Sequence, residues 1–335
     1  MTITEIANAA GVSIATVSRY LNKGPVKEET RKKLESTILK LNYVPESMAR
    51  QIVNSPTQSI AVLTHSLSNY YTMEFAETIN EEYTKRNIAY YIGCSTNGST
   101  EYKYLMDLIS RGTNGIIIHD PAMDQAQVDI YNQISQKHVP IVLVHSFPAD
   151  FAYNTITVDQ NFGMKKAMQY MLGLGHKKIV FIRGTIGYSF NLKERIWREE
   201  LKIGGIEPKD EDCLKITDSD EERGVAQTCK AVLDYFAAGN RPTIIFTCND
   251  IMALGTIQAL HELGLSVPDD VSLMSHDNTI IASAMSLTCV DMKIRSVAKG
   301  AMDLLDYAMN GNDTTPRHIS ITPELIFRTS AAALK

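Results

Sequence analysis

From Ile60 onward the chain repeats one pattern, a short and almost wholly apolar run followed by a stretch of helical length. The runs are IAVLTHS (60–66), AYYIGCST (89–96), GIIIHD (115–120), PIVLVHS (140–146), KIVFIRG (178–184), CLKIT (213–217), TIIFTCND (243–250) and VSLMSHD (271–277). Helical segments are expected at 74–87, 101–111, 162–174, 221–238, 251–263 and 295–309. Strands that are apolar throughout are buried on both faces, as in parallel sheets covered by helices. The pattern therefore predicts an α/β protein with two doubly wound units, at about 60–158 and 162–288. Ligands of such sheets sit beyond the carboxyl ends of the strands. Polar pairs cluster at those ends: His65-Ser66, Cys94-Ser95, His119-Asp120, His145-Ser146, Asn249-Asp250 and His276-Asp277. Two lobes with facing polar strand ends form a cleft that can close on a small molecule.

The first 57 residues have a different texture. TITEIANAAGVSIATVSRYLN (2–22) reads as two short helices joined at Gly11, where positive φ is cheap without a Cβ. Thr2 and Glu5 have capping-box spacing, and Ser13 is placed to cap the second helix. Ile6 and Ala10 form one apolar stripe, Val17 and Leu21 the other. A third helix is expected over roughly 27–42, with Leu34, Ile38 and Leu41 on its inner face. Three helices in this arrangement suit a helix-turn-helix, whose second helix lies in a DNA major groove; an ordinary helical hairpin is the plainer reading. Residues 46–53, ESMARQIV, form a helix candidate too short to be stable alone in water.

Charge separates the two regions. The whole chain carries −5, yet residues 1–57 hold eight Lys/Arg against five Glu. An acidic protein with a basic N-terminal end directs only that end toward a polyanion. Five scattered cysteines show no metal-binding spacing and read as reduced thiols. The start is polar, and no apolar run reaches membrane-spanning length. A cytoplasmic protein with no membrane partner is expected.

The pieces GVSIATVSRYLN (11–22), EETRKKL (28–34), NYVPESMARQI (42–52), LSNYY (67–71), NGIII (114–118), ITVDQNFG (156–163), LGHKKIVFI (174–182), NDIMALGTIQAL (249–260), LGLSVPDDVSL (263–273) and PELIFRTS (323–330) occur in one order and spacing. In these the chain resembles the LacI/GalR family of bacterial transcription regulators across essentially its whole length. The resemblance implies a helix-turn-helix domain (1–45), a hinge helix and linker (46–58), a core N-lobe (59–160 with 290–320) and a core C-lobe (161–289 with 321–335). It also implies a core similar to periplasmic sugar-binding proteins.

At the DNA end, Ser13, Ile14, Ala15, Thr16, Ser18, Arg19 and Asn22 are the candidate contacts. Arg19 can grip guanine O6 and N7 with two hydrogen bonds or hold a phosphate; the resemblance places a base-reading arginine there. Ile14 and Ala15 offer only apolar contact, for example to a thymine methyl. Thr16, Ser18 and Asn22 suit phosphates. The resemblance makes 46–52 a hinge helix that packs with its dimer mate in the minor groove, with Ala49, Arg50 and Ile52 as contacts and Ile52 as the wedge. A pseudo-palindromic operator and a homodimer follow, since one headpiece reads few bases. The family's tetramers use a leucine heptad tail; here the sequence stops at AAALK, so a dimer is expected.

In the cleft, the resemblance carries effector contacts onto His145, Ser189, Asn191, Arg195, Asn249 and Asp277, plus a Tyr70-Tyr71 loop. Their chemistry suits a polyhydroxylated ligand: Asp277 accepts, Arg195 donates in a fork, Asn249 does both. Plainer roles stand beside these. Arg195 has Glu194 and Glu199 nearby, Asn249 can cap the following helix, and Asp277 can serve an Asx turn. The chain departs from the family at Asn69-Tyr70-Tyr71, at Ser219 in place of a stacking aromatic, and at His276-Asp277-Asn278. His145 and His276 thus enter a cleft that usually lacks both, which predicts pH-sensitive binding. A sugar or sugar derivative is the expected effector, with a nucleobase or a phosphorylated partner protein as alternatives. Asp303 and Asp306 would repel a phosphoserine partner. A cytosolic sugar-binding protein or an enzyme is the remaining contrast. Phosphate-loop, nucleophile-elbow and metal-ligand spacings are absent, so no catalytic residue, cofactor or metal ion is expected.

Overall fold

The computed structural model describes residues 3–21, 24–40, 59–64, 66–94, 98–110, 112–121, 125–135, 139–145, 153–185, 187–217, 221–311 and 315–334. Thr2, Asn22, Leu41, Ala49, Arg50, Ile52 and Ser219, and with them the whole 46–53 segment, lie outside the described residues. The chain divides into two compact units, Met1–Thr57 and Gln58–Lys335.

In the first unit, α1 (Ile3–Ala10), α2 (Ile14–Leu21) and α3 (Glu28–Lys40) enclose a small core. Ile6, Ala7, Ala10, Val17 and Leu34 are buried there, with Val12, Tyr20 and Ile38 packed at its edge. Ala7, 2% exposed, keeps that core compact by being small. Gly11 turns the chain at φ 61°, the left-handed region that favours a residue without Cβ.

The second unit holds two six-stranded sheets. The first has the order β2-β1-β3-β4-β5-β11, built from Ser59–Thr64 (β1), Ala89–Cys94 (β2), Gly115–His119 (β3), Ile141–Val144 (β4), Asn154–Val158 (β5) and His318–Ile321 (β11). Every pairing in it is parallel. The second has the order β7-β6-β8-β9-β10-β12, from Ile179–Gly184 (β6), Cys213–Ile216 (β7), Ile244–Thr247 (β8), Ser272–Asp277 (β9), Thr288–Asp291 (β10) and Glu324–Ile326 (β12). Here β12 runs antiparallel to β10 and closes the edge of an otherwise parallel sheet. The central strands β3, β4, β6 and β8 are buried at every residue, as their unbroken apolar runs require.

The chain passes between sheets after β5, after β10 and after β11. Helix α4 (Tyr70–Arg86) begins earlier than the sequence pattern indicates, because Asn69 caps it by accepting from Tyr71 N at 2.8 Å. Tyr70 and Tyr71 therefore stand in a helical first turn instead of a loop. Helix α5 is Gly98–Ser110. Helices Gln125–Ser135 (α6) and Tyr188–Ile203 (α8) add to the pattern, while Gln160–Gly173 (α7), Glu221–Ala237 (α9), Asp250–Glu262 (α10) and Ile294–Asn310 lie where helices are expected. Helices α9 and α10 pack so tightly that a Cβ on Gly255 would meet the Val225 carbonyl oxygen at 2.4 Å. No helix among the described residues is long and apolar enough to cross a membrane.

Candidate functional site

In the first unit Ser13 caps α2: its Oγ accepts from Thr16 N at 3.1 Å and lies 2.8 Å from Thr16 Oγ1. The Thr16 hydroxyl is thus already engaged inside the protein. Burial of Val17 fixes the helix's rotation, which leaves Ile14 48% exposed with Ala15 and Arg19 also at the surface. Ser18 is partly exposed. The backbone oxygen of Arg19 accepts from Gly24 N at 2.8 Å, ending the helix while its side chain stays outward. The outcome is a rigid helix with an apolar tip and one exposed cation.

In the second unit each sheet reverses its winding direction once, between β1 and β3 and between β6 and β8. Such switch points open a crevice at the carboxyl ends of the strands. At the first switch stand Thr64, ending β1, and His119, ending β3, with Thr64 Oγ1 3.4 Å from His119 Nδ1. Tyr71 stacks on His119 with centroids 5.4 Å apart, and the His145 ring lies 5.6 Å from Tyr71 and 5.7 Å from His119. Phe75 packs beneath at 4.6 Å from His119. The ring triangle is held by backbone bonds, Asp120 N to Val144 O at 3.0 Å and His145 N to Ile156 O at 3.1 Å. Four residues at or directly after strand ends hold positive φ without being glycine: Asp120 (54°), His145 (108°), Asp277 (98°) and Asn278 (63°). Strain of this kind collects at functional sites, where neighbours over-determine the backbone.

Burial sets the electrostatics of this wall. It drives the His119 pKa down to about 3, with the His145 ring adding to the effect and Asp120 opposing it. The His145 pKa is lowered by burial, against Asp120 and with Lys193. The Tyr71 phenol is pushed far up by burial and by the carboxylates of Asp277, Asp120, Glu74 and Asp291. Asp277 and Asp291 belong to the second sheet, so the two walls face one another electrostatically.

The second wall is built on α8. Ser189 Oγ donates to Gln160 Oε1 at 2.8 Å, tying α8 to α7. Asn191 Oδ1 accepts from Arg183 at 2.9 Å, and the same buried guanidinium donates to Glu194 Oε2 at 2.6 Å and to the Gly184 and Thr185 carbonyls. Lys193, 4% exposed, donates to the Cys248 carbonyl at 3.2 Å. Asn249 caps α10 by accepting from Met252 N at 2.9 Å. Asp250 accepts from Ser275, from the Thr279 hydroxyl and from Thr279 N, and burial raises its pKa despite these bonds. Arg195 is directed outward: its side chain is 62% exposed and 3.8 Å from Glu199. His276 lies inside the lobe, fully buried against Phe246 at 5.4 Å, with its pKa well below the ordinary value through burial and Lys193.

The structure thus brings Tyr71 and His145 together with His119, a residue the sequence marked only as one strand end among several. Tyr70, 38% exposed, sits one residue away. Ser189, Asn191 and Asn249 occupy the opposite wall with structural partners already in place. Among the described residues no cluster of His, Cys, Asp or Glu could hold a metal ion.

Residues 2–46 match the model for bacterial regulatory proteins of the lacI family, and residues 168–331 the model for a periplasmic binding protein-like domain. The chain is 31% identical to the HTH-type transcriptional regulator DegA of Bacillus subtilis over 99% of this chain and 98% of that protein. It is 30% identical to the HTH-type transcriptional repressor PurR of Photobacterium profundum, over 99% of each. Its fold matches that of the lac repressor dimer bound to operator and the anti-inducer ONPF, with a TM-score of 0.77 at 23% identity and 99% of each chain covered.

Proposed function

The chain belongs to the lacI family of bacterial regulatory proteins, and from that premise we propose that it is a cytoplasmic homodimer that represses transcription at a pseudo-palindromic operator until a small ligand binds its cleft. The observation that carries this is the capped second helix, whose buried Val17 turns Ile14, Ala15 and Arg19 outward together. A helix of that kind enters the major groove, Arg19 reading a guanine and Ile14 with Ala15 meeting thymine methyls. Ser13, Thr16, Ser18 and Asn22 hold the backbone. Ala49, Arg50 and Ile52, on a segment too short to fold alone, bind the minor groove only when DNA and the second protomer supply their packing.

The effector is a sugar or sugar derivative held between the lobes. Tyr70, Tyr71 and His145 line the N-lobe wall; Ser189, Asn191, Asn249 and Asp277 line the other, and Arg195, which the structure turns outward beside Glu199, is not part of it. Ligand-driven closure shifts the N-lobes across the dimer and alters the spacing of the two hinge segments, coupling cleft to operator. The test is a gel-shift titration of the full-length protein against DNA from its own upstream region, with and without candidate sugars. Repression through this route requires that one cleft ligand change operator affinity. Unchanged affinity for every ligand that binds the cleft would sink the coupling.

A further inference from the structure

Gly24 follows α2, and its backbone does not call for glycine. It is absent from the positions with positive φ, and Pro25 after it favours extended backbone that any residue adopts. What excludes a side chain there is proximity. A Cβ on Gly24 would lie 2.7 Å from Arg19 Cγ, 3.6 Å from Arg19 Cδ and 3.1 Å from the Arg19 carbonyl oxygen. Gly24 N donates to that same oxygen at 2.8 Å, which fastens the loop to the last turn of α2. The stem of Arg19 therefore runs along the bare face of Gly24. We propose that Gly24 is a positioning residue for base readout: its missing side chain leaves the slot in which the Arg19 stem lies, and so sets where the guanidinium points. This rests on the reading of α2 as the DNA-reading helix and adds to it the residue that orients its exposed cation.

The place of the conflict decides its consequence. A collision at the tip of a long side chain is met by a small adjustment. Here the close atom is Cγ, near the root, and the guanidinium is carried at the far end of the same stem. Side chains occupy discrete staggered wells, so a blocked Cγ sends the whole stem into another well. Two parallel hydrogen bonds to guanine O6 and N7 fix both the plane and the position of a guanidinium and do not survive that move. Ala15, one turn earlier on the same exposed face, is too short to guide the stem in place of Gly24. The charge is not lost. A displaced arginine still meets phosphates, whose attraction carries no sequence information. Gly24 thus contributes to discrimination and little to grip.

The experiment uses the full-length protein and the duplex that it enriches from a random DNA pool. Affinities for that duplex and for an unrelated one are measured by fluorescence anisotropy at one salt concentration, for the parent protein, Gly24→Ala, Arg19→Ala and the double variant. Gly24→Ala is expected to weaken the enriched duplex about ten-fold, the size of one lost bidentate contact, and to leave the unrelated duplex within about two-fold. In the Arg19→Ala background the same alanine costs nothing further, because it acts through Arg19. The melting temperature stays unchanged, since an exposed stem rotates into solvent. An equal loss on both duplexes, an additive loss in the Arg19→Ala background, or parent-like binding by Gly24→Ala overturns the inference. So does a lowered melting temperature with discrimination intact, because the loop and not the arginine would then have yielded. The underlying DNA reading fails by a different result: the parent protein enriches no duplex, or Arg19→Ala binds the enriched duplex as the parent does. Either of these removes this inference as well.

Discussion

Lys293 Nζ lies 2.6 Å from Glu324 Oε2, and this ion pair joins two of the three places where the chain passes between sheets. Lys293 follows β10 and Glu324 opens β12, while the same ammonium is 3.1 Å from Asp291 Oδ2. Lys293 also holds φ 54° with Asp291 Oδ1 accepting from its backbone N at 2.9 Å. A lysine in left-handed backbone is strained, and its side-chain partners are what hold it there.

That geometry makes an ordering test. Lys293→Ala and Lys293→Gly lose the same two ion pairs, so that loss cancels between them. Only glycine escapes the left-handed penalty. Lys293→Gly is therefore expected to be more stable than Lys293→Ala by about 1 kcal/mol, read from urea midpoints at matched m-values.

Acid should destabilise the core through its buried imidazoles. In the unfolded chain His119 takes up a proton near its ordinary value of 6.5; in the folded chain it does so only at about 3. Its contribution is present above pH 6.5 and is lost as pH falls, by roughly 3 kcal/mol at pH 4. His145 and His276, also lowered, add in the same direction. Asp250, raised by burial, opposes them over that range. Thermal unfolding between pH 7 and 4 should show a falling midpoint, with a visibly shallower slope in His119→Phe.

Gly255→Ala should fail despite alanine's better helix propensity. The new Cβ would meet the Val225 oxygen at 2.4 Å and Thr228 Cβ at 2.8 Å, and a helix backbone cannot move aside as a side-chain tip can. A loss of about 2 kcal/mol or more in chemical denaturation is expected. A neutral result would mean that α9 and α10 do not pack this closely in solution.

Arg19→Ala should remove discrimination more than grip. If Arg19 reads a guanine, specific binding weakens by about 1–3 kcal/mol while non-specific binding changes little. Competition with random DNA at fixed salt separates this from a phosphate contact, which would weaken both equally. Ser13→Ala, in contrast, should cost about 1 kcal/mol of headpiece stability through the lost cap on Thr16.

Much of the fold can be read from residue order because its physics is local. Ile116, Ile117 and Ile118 are buried in succession, which only a strand covered on both faces requires. The first two helices are marked by Gly11 and by the Ser13 cap. Helix Tyr188–Ile203 is harder to see: its inner face is Lys193, Ile196, Trp197, Glu200 and Leu201, so two of its buried residues are charged. Strand His318–Ile321 is an edge, exposed along most of its length, and carries no apolar signal.

The sequence by itself determined the class of the protein. Periodicity, caps and turn residues act over a few positions, so a DNA-reading helix pair ahead of an α/β core is written in them. Only the tertiary structure decided which strand-end residues matter. His119, His145 and His276 look alike in sequence, each closing an apolar run. Sheet order puts His119 at the switch point, where β3 lies beside β1 and Tyr71 covers it. Strand pleat turns His276 inward onto Phe246 and Asp277 away from it. Neighbour relations across 50 residues or more carry no local signature, because they arise from packing that forms only when the sheet does.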